Sequence, residues 1–99
     1  MTIPSSIAAK INIARSLAEH PRLFIMDEPL VSLNQEDKDR VSSFLTKDDS
    51  PWTFIVATND YSMVSRCDRI VILDNGEIVA DGILDEVSKH PLFHKILNQ

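Results

Sequence analysis

The sequence predicts an α/β fold with a mostly parallel sheet, helices on its faces and a β-hairpin near the C-terminus. Three observations predict it. Short apolar runs alternate with helical patterns along the chain, the order expected of strands joined by crossover helices. Two of those runs end in polar residues, as strands of an open α/β sheet do where ligands bind. Asn75-Gly76 sits between two further apolar runs and is a strong hairpin signal. With no internal repeat, low-complexity tract or linker, residues 1–99 read as one domain.

Each element follows from local chemistry. From Ser5 to Glu19, Ile7, Ile11, Ala14, Leu17 and Ala18 recur at helical spacing, with Ala8 and Ile13 widening the stripe. Ser5 or Ser6 can cap this helix, and Pro21 ends it by disfavouring helical geometry at His20. Lys10 and Arg15 lie off the stripe and read as solvated charges. Leu23-Phe24-Ile25-Met26 is a strand expected to be buried on both faces. After the turn Pro29 to Asn34, a helix runs from Gln35 to Lys47. Glu36 and Asp37 suit the positive end of its dipole, and Val41, Phe44 and Leu45 form its apolar face. Trp52 to Ala57 is a second strand, rich in β-branched and aromatic residues. Asp60 caps a short helix from Tyr61 to Cys67. Arg69 to Leu73 and Glu77 to Ala80 flank the hairpin turn, and Asp81-Gly82 is expected to break the second of them. Leu84 to Lys89 and Pro91 to Leu97 read as two short closing helices.

The chain is organised around Asp27-Glu28, two carboxylates at the end of the first strand. Adjacent acids repel unless a cation lies near, and Mg²⁺ held by one or two carboxylates plus phosphates meets that need. The alternative is an ordinary turn, because acids and Pro29 are also turn formers.

Composition narrows the function classes. Ten basic against fifteen acidic residues give a net charge of −5, which argues against broad nucleic-acid or anionic-membrane binding. No apolar run reaches membrane-spanning length, and the N-terminus lacks a signal-peptide layout. The single Cys67 fits a reducing compartment and reads as a small apolar residue. His20, His90 and His94 have no metal-ligand spacing with a cysteine. Trp52 reads as packing, and Glu36, Asp37 and Asp39 as a solvated helix face.

Several blocks in order together resemble a known family. Ala14-Arg15-Ser16-Leu17, Leu23 to Pro29, Ser32-Leu33-Asn34, Ile55 to Asp60 and Cys67 to Val79 are similar to the C-terminal half of an ABC-transporter nucleotide-binding domain. The resemblance runs from about Ile3 onward, and the tail from Pro91-Leu92-Phe93 is most similar to the exporter type. It implies a P-loop NTPase-like (RecA-like) partial core. Asp27 matches the Walker B aspartate, which holds Mg²⁺ through water, and Glu28 matches the catalytic glutamate, which polarises the attacking water. Alternation along the strand is expected to separate the two carboxylates. Ser32, Leu33 and Asn34 fall on the D-loop, Asn59 falls at the switch-histidine position, and Ser5 and Ser6 lie in the signature segment.

The departures from the family pattern matter as much. Asn59 can donate a hydrogen bond but carries no proton or charge as histidine does. Asn34 replaces an acid. Ile3-Pro4-Ser5-Ser6-Ile7 stands where the family has Leu-Ser-Gly-Gly-Gln, and Pro4 has lost an N–H donor. No Gly-x-x-x-x-Gly-Lys-[Ser/Thr] loop occurs, since the chain's only glycines are Gly76 and Gly82. The Walker A strand, the glutamine loop and most of the helical subdomain are lacking too.

The resemblance therefore implies ATP and Mg²⁺ as cofactors of the complete domain, with neither bound tightly by this chain. It implies ATPase activity only if a Walker A half completes the domain; the alternative is a degenerate, non-catalytic regulatory or interaction module. The implied partners are that N-terminal half, a second nucleotide-binding domain and a transmembrane transporter domain, at the cytoplasmic face of the membrane; no nucleic acid is implied. The family layout puts the Walker A strand between the second and third strands, so an empty slot and a homodimer through exposed sheet edges are expected.

Overall fold

The computed structural model describes residues 3–97. Its elements in order are α1 (Ser5–Leu17), β1 (Leu23–Asp27), α2 (Gln35–Leu45), β2 (Thr53–Ala57), α3 (Tyr61–Val64), β3 (Ile70–Asp74), β4 (Glu77–Gly82), α4 (Leu84–Val87) and α5 (Leu92–Ile96). The chain forms two compact units, one running to Thr58 and the other from Asn59. Its strands form two separate two-stranded sheets, a parallel β1–β2 pair and an antiparallel β3–β4 pair.

In the first unit β1 and β2 align in register from Leu23 beside Thr53 to Asp27 beside Ala57. Backbone bonds extend the ladder at both ends: Thr53 N–H donates to the Arg22 carbonyl, and Glu28 N–H to the Ala57 carbonyl, each at 2.7 Å. One face of the pair is aromatic. Phe24 packs against Phe54 and Trp52 with ring centroids 5.9 and 6.2 Å apart. Phe44 of α2 packs at a tilt against Trp52, centroids 5.9 Å apart, and the Trp52 indole donates to the Leu45 carbonyl at 3.1 Å.

The other face corrects the expectation of a strand buried on both sides. Ile25 is 68% exposed, and its neighbour Ile55 is 53% exposed. An apolar run shows that burial is favourable, but it cannot specify which elements are present to provide it. The stripe of α1 shows the same gap: Ile13 is buried, whereas Ile7 and Ile11 are exposed.

Helix ends follow side-chain chemistry where a cap exists. Asn34 caps α2, its side-chain oxygen accepting from Asp37 N–H at 2.8 Å. Lys10 is not a free charge, because its ammonium meets the Asp37 carboxylate at 2.9 Å and ties α1 to α2. The cap of α1 differs from expectation. Pro4 holds the N-cap position without a side-chain bond, and both Ser5 and Ser6 are already helical. After Leu17 the chain leaves the helix through His20, whose φ is 55°, and Pro21 follows.

In the second unit Asp60 caps α3 as expected, accepting from Ser62 N–H at 3.0 Å. Asn75 and Gly76 take φ values of 51° and 78°, the left-handed pair that a tight hairpin turn requires. The ladder runs on to Gly82 beside Ile70, so Asp81-Gly82 does not break β4. A register shift after Ile72 absorbs an extra residue, and Arg69 clamps the far end, donating to both Asp81 oxygens at 2.6 and 2.7 Å. Val64, Ile70, Ile72, Val87 and Phe93 form this unit's core. Cys67 packs against it; burial foremost, then the Asp68 charge, pushes its thiol pKa up, away from a reactive thiolate.

Candidate functional site

The carboxylate pair lies where β1 ends. Asp27 is the last residue of β1 and is exposed, on the same side of the strand as Ile25. Glu28 is half-buried and leaves the strand with φ of 46°. A non-glycine residue in that region carries a cost of roughly 1–2 kcal/mol. The conformation is held from two sides. Its N–H remains bonded to the Ala57 carbonyl at 2.7 Å, and its Oε2 accepts from the Thr58 hydroxyl at 3.3 Å.

Strand alternation was expected to separate the acids, but Glu28 is no longer in the strand. The backbone turn at Glu28 separates them instead, leaving Asp27 open to solvent and drawing Glu28 toward the end of β2. Thr58 is the residue that sequence reasoning missed. Its signal was present, because two parallel strands in register both end in polar residues, which places Glu28 beside Thr58.

The remaining candidates stand in the turn before α2, at the start of α1 and in the second unit. Ser32 and Asn34 are exposed in the turn before α2. Leu33 between them is buried, and its N–H donates to the Leu30 carbonyl at 3.0 Å. Asn34 spends its side-chain oxygen on the helix cap, a role that an aspartate would fill equally well. Ser5 and Ser6 open α1 behind Pro4, an N-cap residue that makes no side-chain cap bond. Asn59 belongs to the second unit, half-buried immediately before the Asp60 cap.

The donor set suits one metal arrangement and not another. Among the described residues no group of three or more His, Cys, Asp or Glu side chains could hold a metal by itself. An exposed aspartate beside a held glutamate instead fits the protein's share of a Mg²⁺ whose other ligands are water and phosphate. Among the described residues no helix is long and apolar enough to cross a membrane.

No family model matches the chain. Individual proteins do. The chain is 43% identical over 75 residues to the lipoprotein-releasing system ATP-binding protein LolD of Anaeromyxobacter dehalogenans, covering 74% of this chain and 31% of that protein. It is 36% identical over 81 residues to the molybdenum import ATP-binding protein ModC of Vibrio vulnificus, covering 79% and 22%. It is 32% identical over 96 residues to the phosphonates import ATP-binding protein PhnC of Treponema denticola, covering 88% and 35%. The chain thus spans about a third or less of the length of these relatives. A solved structure from work on the ATP-driven dimerization and DNA-stimulated activation of SMC ATPases superimposes with a TM-score of 0.71 at 18% identity. That match covers 98% of this chain and 63% of the other. The fold is a partial P-loop NTPase core.

Proposed function

We propose, for a chain that corresponds to part of an ABC-transporter nucleotide-binding domain, that it supplies the Walker B and switch portion of an ATPase. The observation that carries this reading is the Asp27-Glu28 pair, with Glu28 turned out of β1 and held by Thr58, in a chain so similar to ATP-binding subunits. When bound, Mg²⁺ supplies charge neutralisation on the nucleotide phosphates. Asp27 would hold it through water. Glu28 would orient the attacking water and accept its proton, and the Thr58 hydroxyl would keep that carboxylate in place. Asn59 would offer an amide hydrogen bond to the γ-phosphate, without a charge.

The chain contributes no phosphate-cradling glycine loop. Of its glycines, Gly76 forms the hairpin turn and Gly82 closes β4. We therefore place tight nucleotide binding and turnover in a complete domain, formed with an N-terminal half that bears a Walker A loop. A second nucleotide-binding domain would meet the turn at Ser32, Leu33 and Asn34 and the start of α1 at Ser5 and Ser6. A transmembrane domain would hold the assembly at the cytoplasmic face of the membrane.

A second reading, an interaction module without catalysis, is favoured by the neutral Asn34 and Asn59 and by Pro4 in the signature segment; the Asp27-Glu28 pair opposes it. Calorimetry separates the two. MgATP titrated into this chain alone should give no saturable heat. Adding an N-terminal segment that carries a Gly-x-x-x-x-Gly-Lys-[Ser/Thr] loop should create binding under the ATPase reading. Saturable micromolar binding by the chain alone would contradict the assignment of the cradle to another segment.

A further inference from the structure

The turn that leaves Glu28 is anchored at its far end as well as at its near end. Pro29 to Asn34 connect Glu28 to α2, and Asp37 fixes the start of that helix in two ways. Its N–H donates to the Asn34 side-chain oxygen at 2.8 Å. Its carboxylate meets the Lys10 ammonium of α1 at 2.9 Å, with the Asp37 side chain 18% exposed and that of Lys10 47%. The Lys38 N–H adds a bond to the Asn34 carbonyl at 2.9 Å. Within the turn Leu30 and Leu33 are buried. Apolar burial holds those two residues at depth without setting a direction. The cap and the ion pair are directional, and they set where the turn must end.

We propose that Lys10 is a positioning residue for Glu28: paired with Asp37, it fixes the start of α2 and so the path by which the chain leaves Glu28. The catalytic consequence rests on the ATPase reading; the mechanical one does not. A residue other than glycine at φ of 46° persists only where its surroundings over-determine it. The Ala57 carbonyl and the Thr58 hydroxyl supply that restraint on the strand side. Were the far end of the turn free, Glu28 could relax to negative φ and draw its carboxylate away from Thr58. The Asn34 cap cannot prevent this alone, because it fixes the turn only relative to α2. The ion pair fixes α2 relative to α1. Asp37 also favours the positive end of the α2 dipole, so the link is best probed from Lys10.

Two measurements test it. In the chain alone, urea denaturation compares E28G with E28A in the wild-type, K10M and K10R backgrounds. The preference for glycine over alanine should shrink in K10M, because the freed turn lets alanine leave the left-handed region. K10R keeps a cation and should retain it. A general loss of stability in K10M would lower both variants equally and leave the preference intact. In the completed domain K10M should lower kcat roughly threefold with KM unchanged, the scale of a partly exposed ion pair. The difference from wild type should fade in high salt. Losses from K10M and T58V should also fall short of additivity, since both act through the Glu28 carboxylate. An unchanged glycine preference in K10M would overturn the proposal, as would additive losses or equal losses in K10M and K10R. Absence of turnover by the wild-type completed domain would overturn the ATPase reading instead, and the urea comparison would still decide the link between Lys10 and Glu28.

Discussion

The Thr58 hydroxyl donates to the Glu28 carboxylate, Oγ1 to Oε2 at 3.3 Å, across the ends of two parallel strands. At that length the bond is a modest one, suited to orienting a carboxylate that can still turn to water. In a completed domain T58V should lower kcat by roughly 3–10-fold with little change in KM, as expected for loss of about 1 kcal/mol of positioning. T58S keeps the hydroxyl and should retain most of the rate. Steady-state ATPase assays of the two variants check this; full rate in T58V with loss in T58S would show that the methyl group matters and the hydroxyl does not.

The backbone at Glu28 makes a separate prediction about stability. In most positions glycine is less stable than alanine, because the unfolded chain gains freedom. At φ of 46° the order should reverse, with E28G more stable than E28A by about 1 kcal/mol. Urea denaturation of the two variants measures the difference. Alanine proving the more stable would mean that Glu28 does not hold this conformation.

Ser42 lies in α2 fully buried, and its hydroxyl has no hydrogen-bond partner among the described residues. A buried unpaired hydroxyl costs roughly 1–3 kcal/mol, and alanine is also the better helix former. S42A should therefore stabilise the chain by about 1 kcal/mol, a rise in Tm of roughly 4–8 °C for a protein of this size. Thermal denaturation by circular dichroism reads it directly.

The Arg69–Asp81 pair sets a pH dependence in the hairpin unit. Hydrogen bonds from Arg69 foremost hold the Asp81 carboxyl below its usual range, against an opposing desolvation that outweighs the further help of the Arg69 charge. A depressed carboxylate contributes stability above its unfolded pKa of about 3.9 and loses it as pH falls through the lower folded value. D81N should thus be less stable than wild type at neutral pH, and the two should converge below about pH 4. The gap should be small and shrink in high salt, because the pair is exposed. A gap that persists in strong acid would assign it to packing.

Much of this fold was legible because its signals are local. Asn75-Gly76, the caps at Asn34 and Asp60, and the acids at the end of β1 each depend on a few neighbouring residues. Burial was not legible in the same way. Ile25 and Ile55 belong to apolar runs that a complete sheet would cover, and the sequence pattern carries no record of whether the cover is present. The continuation of β4 through Asp81 and Gly82 depended on Arg69, twelve residues distant, outweighing a local breaker. The left-handed turn at Glu28 had no local signal, since its support comes from Ala57 and Thr58 on the neighbouring strand.

The central claim is that this chain holds the water-activating half of an ATPase whose phosphate-binding half lies elsewhere. Its most direct test is MgATP hydrolysis by the chain combined with an N-terminal segment bearing the Walker A loop, in wild-type and E28Q forms. The account predicts no turnover by either part alone, turnover by the pair, and a loss of at least about a hundredfold with E28Q, the scale of a general base. Hydrolysis by the pair that survives E28Q undiminished, or hydrolysis by this chain alone, would contradict it.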